Sequence, residues 1–293
     1  MHRRRDLRRP RAGVSGLSGA GPAVSRRLLL TLAAAALAAA GCVAPRAAGP
    51  EPVRLRVLSY NIHHGQGGDG VFDLERLATV IADAAPDLVA LQEVDQGTGR
   101  AGGVRQADEL ARSTGLHGAF GRAMRYDGGD YGEAALSRAK PQAVDAWPLP
   151  AGPGREPRCA LVLRCTGAAG PFLFVATHLD HTRGDEDRIR QIEEILARLA
   201  AGDRLPVILA GDLNCEPGSA PLARLGPDWL DAPLAAGAAA PTFPAPAPAR
   251  RIDHVLVAPA ARWRVLGAAV LDERIASDHR PLVVDLELLP VAE

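Results

Sequence analysis

The sequence predicts an α/β protein built on two packed β-sheets flanked by helices, and two observations carry that reading. Short apolar runs bounded by turn formers, the signature of buried strands, recur eight times between Leu55 and Leu286. Only three segments show the apolar spacing of an amphipathic helix. That is too few, and too widely spaced, to wind helices over a single parallel sheet.

The strand candidates are Leu55–Asn61, Leu88–Gln92, Glu133–Leu136, Cys159–Arg164, Phe172–Thr177, Val207–Gly211, Ile252–Val257 and Pro281–Leu286. The first helix candidate, Asp73–Ala84, opens on an Asp cap and places Leu74, Leu77 and Ile81 on one face. Val104–Ser113 is the second. In the third, Asp185–Ala200, the residues Ile189, Ile192, Ile195, Leu196 and Leu199 form an apolar stripe with charges opposite. From Val53 to Glu293 the chain runs about 240 residues, room for one large domain or two small ones. No linker interrupts it, and the Pro/Ala-rich stretch Ala235–Ala249 reads as a surface loop.

Residues 1–42 stand apart from this pattern. Arg26-Arg27 precedes Leu28-Leu29-Leu30 and an Ala/Leu run to Ala40, then Gly41-Cys42. A basic start, a short apolar stretch and small residues at its end predict a secretory signal, the run being short for a membrane span. An uncleaved anchor is the alternative. Ala39-Ala40-Gly41-Cys42 resembles a bacterial lipobox, which implies cleavage before Cys42 and a lipid on its thiol, hence a membrane-anchored protein of the cell envelope. Val43 after the cysteine leans toward the outer membrane, and Ser25–Leu29 resembles a twin-arginine export signal. Residues 43–52 then act as a tether and 53–293 as the folded domain.

Cleavage changes the charge balance. Whole, the chain has 34 basic and 34 acidic residues; the first 42 hold eight of the former and one of the latter. The remainder, with 26 basic and 33 acidic residues, carries a formal charge of about −7, which argues against non-specific gripping of duplex nucleic acid. Cys159 and Cys165 lie about 20 Å apart along one strand at about 3.3 Å per residue, too far to bridge, and no cysteine spacing suggests zinc.

The predicted strands share one feature: a polar residue at one end. The run Val207–Gly211 leads to Asp212 and Asn214, which at i and i+2 face the same side and can meet one ion or one phosphate. Asp-x-Asn is also ordinary turn chemistry. Asn61 ends one strand, Gln92-Glu93 another and His178 a third; Asp253 and Asp278-His279 open two more. Acids beside apolar runs are costly unless paired or bound to a cation. A set rich in Glu, Asp and Asn oxygens suits Mg²⁺ or Mn²⁺ better than zinc.

In this order the motifs LSYNIHHG (Leu58–Gly65), LQEVD (Leu91–Asp95), YGEAALSR (Tyr131–Arg138), THLDH (Thr177–His181), GDLNCEP (Gly211–Pro217), RIDHVLV (Arg251–Val257) and SDHRPLVVD (Ser277–Asp285) resemble the endonuclease/exonuclease/phosphatase superfamily of metal-dependent phosphoesterases. The resemblance covers essentially Leu55 to Leu286. It implies a four-layer α/β/β/α sandwich of two packed mixed β-sheets flanked by helices, with the site at one edge of the sheets. It also implies Mg²⁺-assisted hydrolysis of a phosphodiester or phosphomonoester.

By the same resemblance Glu93 is the principal metal carboxylate, helped by Asn61 and Asp278. Asp212 and Asn214 orient the attacking water and the phosphate, Asp253 pairs with His279, and His178 is the family's second histidine. In pancreatic-type deoxyribonucleases a Glu in an Arg-Glu-Pro-Ala stretch holds that histidine; Arg155-Glu156-Pro157-Arg158 makes Glu156 the expected partner here. The chain departs from the family in having Glu133 where Tyr-Gly-Asn is usual, which puts in doubt how an anionic substrate is met. Rim or structural roles are expected for His63, His64, His181 and His254, and Arg100, Arg105 and Arg158 are either phosphate clamps or solvated surface. The expected protein is a monomeric phosphoesterase acting on a small molecule, a lipid head group or a nucleic acid. A lipid phosphodiesterase, a secreted nuclease and an inactive binding lipoprotein are the alternatives.

Overall fold

The computed structural model describes residues 51–291; the signal segment, Cys42 and most of the tether lie outside them. The chain runs β1 (Val53–Asn61), α1 (Leu74–Ala84), β2 (Leu88–Gln96), α2 (Gln106–Thr114), β3 (His117–Tyr126), β4 (Gly129–Ser137), β5 (Ala143–Leu149) and β6 (Arg158–Gly167). It continues through β7 (Gly170–His178), α3 (Glu186–Ala201), β8 (Val207–Asp212), α4 (Ala220–Ala223), β9 (Leu230–Asp231), α5 (Ala232–Ala235), β10 (Asp253–Ala258), β11 (Trp263–Val270) and β12 (Leu282–Leu288). Among the described residues no helix is long and apolar enough to cross a membrane.

The strands form two six-stranded mixed sheets, ordered β11-β12-β1-β2-β4-β3 and β5-β6-β7-β8-β10-β9. Each sheet has one parallel pair at its middle, β1 with β2 and β7 with β8, each joined by a helical crossover, and antiparallel neighbours on either side. Residue alternation sets the layers. Val57, Leu88, Ala90, Leu161, Phe174, Ile208, Val255 and Val284 fill the space between the sheets. Leu58, Tyr60, Val89, Leu91 and Leu136 point the other way onto α1 and α2, and Ala160, Val162, Val175 and Leu209 onto α3. The four-layer α/β/β/α sandwich is the fold.

The helices follow their sequence signals. Asp73 caps α1 by accepting from Arg76 N at 2.9 Å, and Leu77, Ala78, Ile81 and Ala84 supply its buried face. In α3 the buried apolar residues are Ile192 and Ile195, with Ile189, Leu196 and Leu199 only half-buried at the layer's edge. Four strands go beyond the expectation: β3, β5, β9 and β11, all at sheet edges.

Ala235–Ala249 is not the plain surface loop expected of its composition. Thr242 and Ala245 are fully buried, Ala245 N donates to Asp278 O (2.7 Å), and Arg280 N donates to Thr242 O (2.8 Å). The loop is strapped to the segment that opens β12, because its prolines leave few backbone donors and those that remain find partners there.

Candidate active site

Both parallel pairs end at the same rim of the sandwich, and the antiparallel β10 and β12 begin there, so six polar strand ends converge. They line a pocket of about 400 Å³. Of the site residues expected from sequence, Glu93, Glu156, His178, Asp212, Asn214, Asp278 and His279 line it directly; Asn61 and Asp253 lie behind them, held by hydrogen bonds.

Glu93 reaches the pocket through a β-bulge. Leu91 pairs with Ala134 and Val94 with Gly132, so Gln92 and Glu93 together oppose Glu133. Glu93 has φ +59°, the left-handed region that non-glycine residues avoid. Without the extra residue, alternation would send this side chain toward the helices with Leu91. Asn214 sits in the same region (φ +50°), just beyond β8, and its N–H donates to Asp212 Oδ1 at 2.9 Å.

Asn61 braces two acids. Its Nδ2 donates to Glu93 Oε1 (3.0 Å) and Asp212 Oδ2 (3.2 Å), while its Oδ1 accepts from His63 N (3.0 Å). This departs from the ligand role expected of it: the amide oxygen is occupied by the backbone turn, and nitrogen faces the carboxylates.

His279 is fixed by Asp253. Nδ1 lies 2.9 Å from Asp253 Oδ2, Nε2 lies 3.6 Å from Asp212 Oδ2, and the ring packs against Phe243 at 4.7 Å between centroids. Burial opposes the imidazolium, but the Asp253 and Asp212 carboxylates outweigh it and raise the pKa well above the usual histidine range. Burial also raises the Asp212 carboxyl, against the pull of His279 and with the Asp253 charge adding to it.

His178 contradicts the expected pairing. Arg158, not Glu156, occupies its Nδ1 side: Nη1 donates to Nδ1 at 3.1 Å. Glu156 Oε1 lies 3.0 Å from Arg158 Nη1, so the carboxylate is spent on the guanidinium. Burial first, then the Arg158 charge, hold the His178 imidazolium far below its ordinary pKa. The position of Glu133 is also resolved. It is 1% exposed, lies outside the pocket lining with neither oxygen hydrogen-bonded, and burial raises its pKa well above the usual range. A substrate in the pocket does not meet its charge.

Arg100, expected as a phosphate clamp or as solvated surface, lies in a side wall of the pocket, whereas Tyr126 and Phe243 in those walls were not expected from the sequence. Arg100 is held by Asp95 through two hydrogen bonds (2.7 and 3.0 Å) and stacks over Tyr126 and Tyr131, 4.6 and 5.5 Å from their ring centres. Phe243 forms part of another wall. Arg105 instead pairs with Asp108 on the surface. His254 is structural, its Nε2 lying 2.9 Å from Cys215 O, which helps fix the buried turn where Cys215 sits.

The sequence model described as Endonuclease/Exonuclease/phosphatase family matches residues 58–279, from the strand bearing Asn61 to His279 itself. The chain belongs to this family. A solved endonuclease/exonuclease/phosphatase from Beutenbergia cavernae DSM 12333 is 28% identical, with 80% of this chain and 72% of that one covered and a TM-score of 0.67. The mannosyl-6-phosphatase of Bacteroides thetaiotaomicron VPI-5482 has the same fold at 23% identity (79% and 99% covered, TM-score 0.64). So does a humanized D. rerio TDP2 at 21% (80% and 98%, TM-score 0.63). No curated protein matches the chain.

The donor set suits the divalent metal of the family. Glu93 and Asp278 both line the pocket, and among the described residues neither forms an ion pair with Arg or Lys. Two uncompensated carboxylates beside a third, Asp212, are unfavourable without a cation, and their oxygens suit a hard ion. The set fits. Single ligand atoms of Asp212, Asp253 and His279 also lie within 4.8 Å of one another. There, however, the histidine already pairs with both carboxylates, whereas among the described residues Glu93 and Asp278 have no such cationic partner.

Proposed function

We propose that the protein is a Mg²⁺- or Mn²⁺-dependent phosphoesterase that hydrolyses a phosphodiester or phosphomonoester, exported and anchored to the cell envelope through a lipidated Cys42. The observation that carries the reading is the unpaired carboxylate pair Glu93 and Asp278 facing the same pocket as the linked Asp253–His279–Asp212 group. The fold shared with the Bacteroides mannosyl-6-phosphatase is consistent with it.

A bound divalent ion neutralises phosphate charge and favours attack at phosphorus. The chain's own groups handle protons and position. Asp212, its proton affinity raised by burial, accepts the proton of the attacking water while Asn61 Nδ2 and Asn214 N hold its two oxygens in place. His279, kept charged by Asp253, faces the phosphate as a hydrogen-bonding cation. Asn214 Nδ2 donates to Leu179 O (3.1 Å), which keeps its amide turned to the pocket floor.

The test is turnover of bis(4-nitrophenyl) phosphate, 4-nitrophenyl phosphate, plasmid DNA and a phosphocholine lipid, each with Mg²⁺ and with chelator. Chelator-sensitive hydrolysis of at least one substrate is expected; none on any would leave a binding lipoprotein. The mature protein's mass checks the anchor, the expected N-terminus being a diacylglyceryl Cys42.

A further inference from the structure

Arg158 is the one arginine that reaches the pocket floor as a buried group. It is 2% exposed, and its guanidinium contacts three acceptors: Glu156 Oε1 at 3.0 Å, His178 Nδ1 at 3.1 Å and His181 Nδ1 at 3.1 Å. A guanidinium has donors and no acceptor, and it does not deprotonate in proteins. Both ring nitrogens facing it must therefore offer lone pairs, and each neutral imidazole must carry its proton on Nε2.

We propose that Arg158 is a positioning residue that locks His178 in the neutral Nε2–H tautomer, making His178 a hydrogen-bond donor to the substrate phosphate and leaving His279 as the site histidine whose Nδ1 is held by a carboxylate, Asp253. A carboxylate at Nδ1, the arrangement expected of Glu156, would do the reverse. It would hold a proton on Nδ1 and free the Nε2 lone pair to take one from water or a leaving group. Here the guanidinium prevents that exchange, because moving a proton onto Nδ1 would set two donors against each other.

At Nε2, Asp212 Oδ2 lies 3.4 Å away and can accept its proton, and among the described residues no other carboxylate pairs with the ring. Asn214 Nδ2, 2.9 Å from Nε2, is a second donor competing for the neutral ring's one lone pair; the charged guanidinium is the stronger donor and the Asn214 amide also has Leu179 O as an acceptor, so the lone pair goes to Arg158. A phosphate oxygen entering between Asp212 and Asn214 would find the Nε2–H and the Asn214 amide as two converging donors. Burial together with the Arg158 charge keeps the ring from protonating, so the donor role does not switch with pH near neutrality. Glu156 keeps Arg158 in place from the rim, its own side chain 28% exposed.

The inference deepens the phosphoesterase reading and depends on it only for its kinetic arm. The direct test needs no substrate: multiple-bond ¹⁵N–¹H spectra of the imidazoles in the full chain, with His178 assigned by the loss of its signals in His178→Gln. The expected result is an unprotonated Nδ1 and a protonated Nε2, unchanged between about pH 5 and 8. An Nδ1–H tautomer, or protonation of the ring within that range, overturns the proposal. The kinetic arm uses bis(4-nitrophenyl) phosphate with Mg²⁺. Arg158→Met should lower kcat by about ten- to hundredfold, the scale for losing a group that orients an active-site imidazole. It should also add an ionisation near the ordinary histidine value of about 6.5 to the kcat/KM profile. Arg158→Lys, which keeps a cationic donor, should not add it. An Arg158→Met profile identical to the parent's overturns the proposal. Absent turnover with the expected spectra would instead count against the phosphoesterase reading alone.

Discussion

Replacing Glu93 by glycine and, separately, by alanine divides the residue's two effects on the protein. Both changes remove the carboxylate from the pocket and its hydrogen bond from Asn61, whose amide keeps Asp212 as a partner. They differ in the backbone. Alanine retains the left-handed strain of φ +59°, about 1–2 kcal/mol for an L-residue, whereas glycine relieves it. Glycine in turn gives the unfolded chain more freedom, at a cost of about 0.5–1 kcal/mol relative to alanine. The difference leaves Glu93→Gly more stable than Glu93→Ala by about 1 kcal/mol, or about 2–4 °C in melting temperature for a domain of this size. At an ordinary strand position the order is opposite. Melting in chelator measures it without interference from metal binding, and hydrolysis of bis(4-nitrophenyl) phosphate with Mg²⁺ measures the other effect. Both variants should lose at least about a thousandfold in turnover, corresponding to the several kcal/mol that metal-assisted charge stabilisation supplies. If alanine equals or exceeds glycine in stability, the bulge is not strained as described. Retained turnover would remove Glu93 from the metal-facing pair.

Two further perturbations test the electrostatics. Asp253→Asn and His279→Ala should each reduce turnover by about 10²–10⁴, because the first removes the group that charges and orients the imidazole and the second removes the imidazole itself; both should also melt lower than the parent, since each breaks a buried charge pair, while still folding cooperatively. Activity near the parent's in either variant defeats the assignment. Away from the pocket, burial would raise the Asp231 carboxyl, but His254, with Nδ1 at 3.8 Å, and the hydrogen bonds from Arg251 hold it well below the usual range. A folded pKa below the unfolded value of about 3.9 stabilises the fold fully above that pH, and the contribution is lost as pH falls through the folded value. Asp231→Asn should therefore cost about 3 kcal/mol in urea unfolding at pH 7, since it strands a buried Arg251, with the gap to the parent narrowing below about pH 4. A gap independent of pH would refute the pairing.

The strands legible in the sequence are those buried on both faces. β1, β2, β4, β6, β7, β8, β10 and β12 read as apolar runs because one face meets the other sheet and the other a helical layer or loop. The missed β3, β5, β9 and β11 are edge strands. The sequence His117–Tyr126 has a largely exposed burial pattern and Ala143–Leu149 is exposed at all but two positions, so neither needs an apolar run. For the same reason the polar strand ends stood out: an acid closing an apolar run, as Asp212 does, has few structural explanations. The bulge that aims Glu93 was not legible, because the extra residue shows only in the pairing of β2 with β4.

The exchange of Glu156 for Arg158 shows where motif reading ends. Arg158 opens β6 in the alternation of Ala160 and Val162, which face the helical layer, so its parity places it away from the pocket. At the first residue of a strand, parity constrains a long side chain weakly, and the guanidinium turns inward to three acceptors. Burial cost then selects between the two neighbours. A buried Glu156 would find one imidazole N–H as its donor, whereas a buried Arg158 is offset by a carboxylate and two ring nitrogens while Glu156 stays partly in water. A stretch that differs from the family's Arg-Glu-Pro-Ala at its fourth residue thus supports the opposite tautomer of His178. Motif order identifies the family; the direction of each proton depends on which charge can be buried with its partners in place.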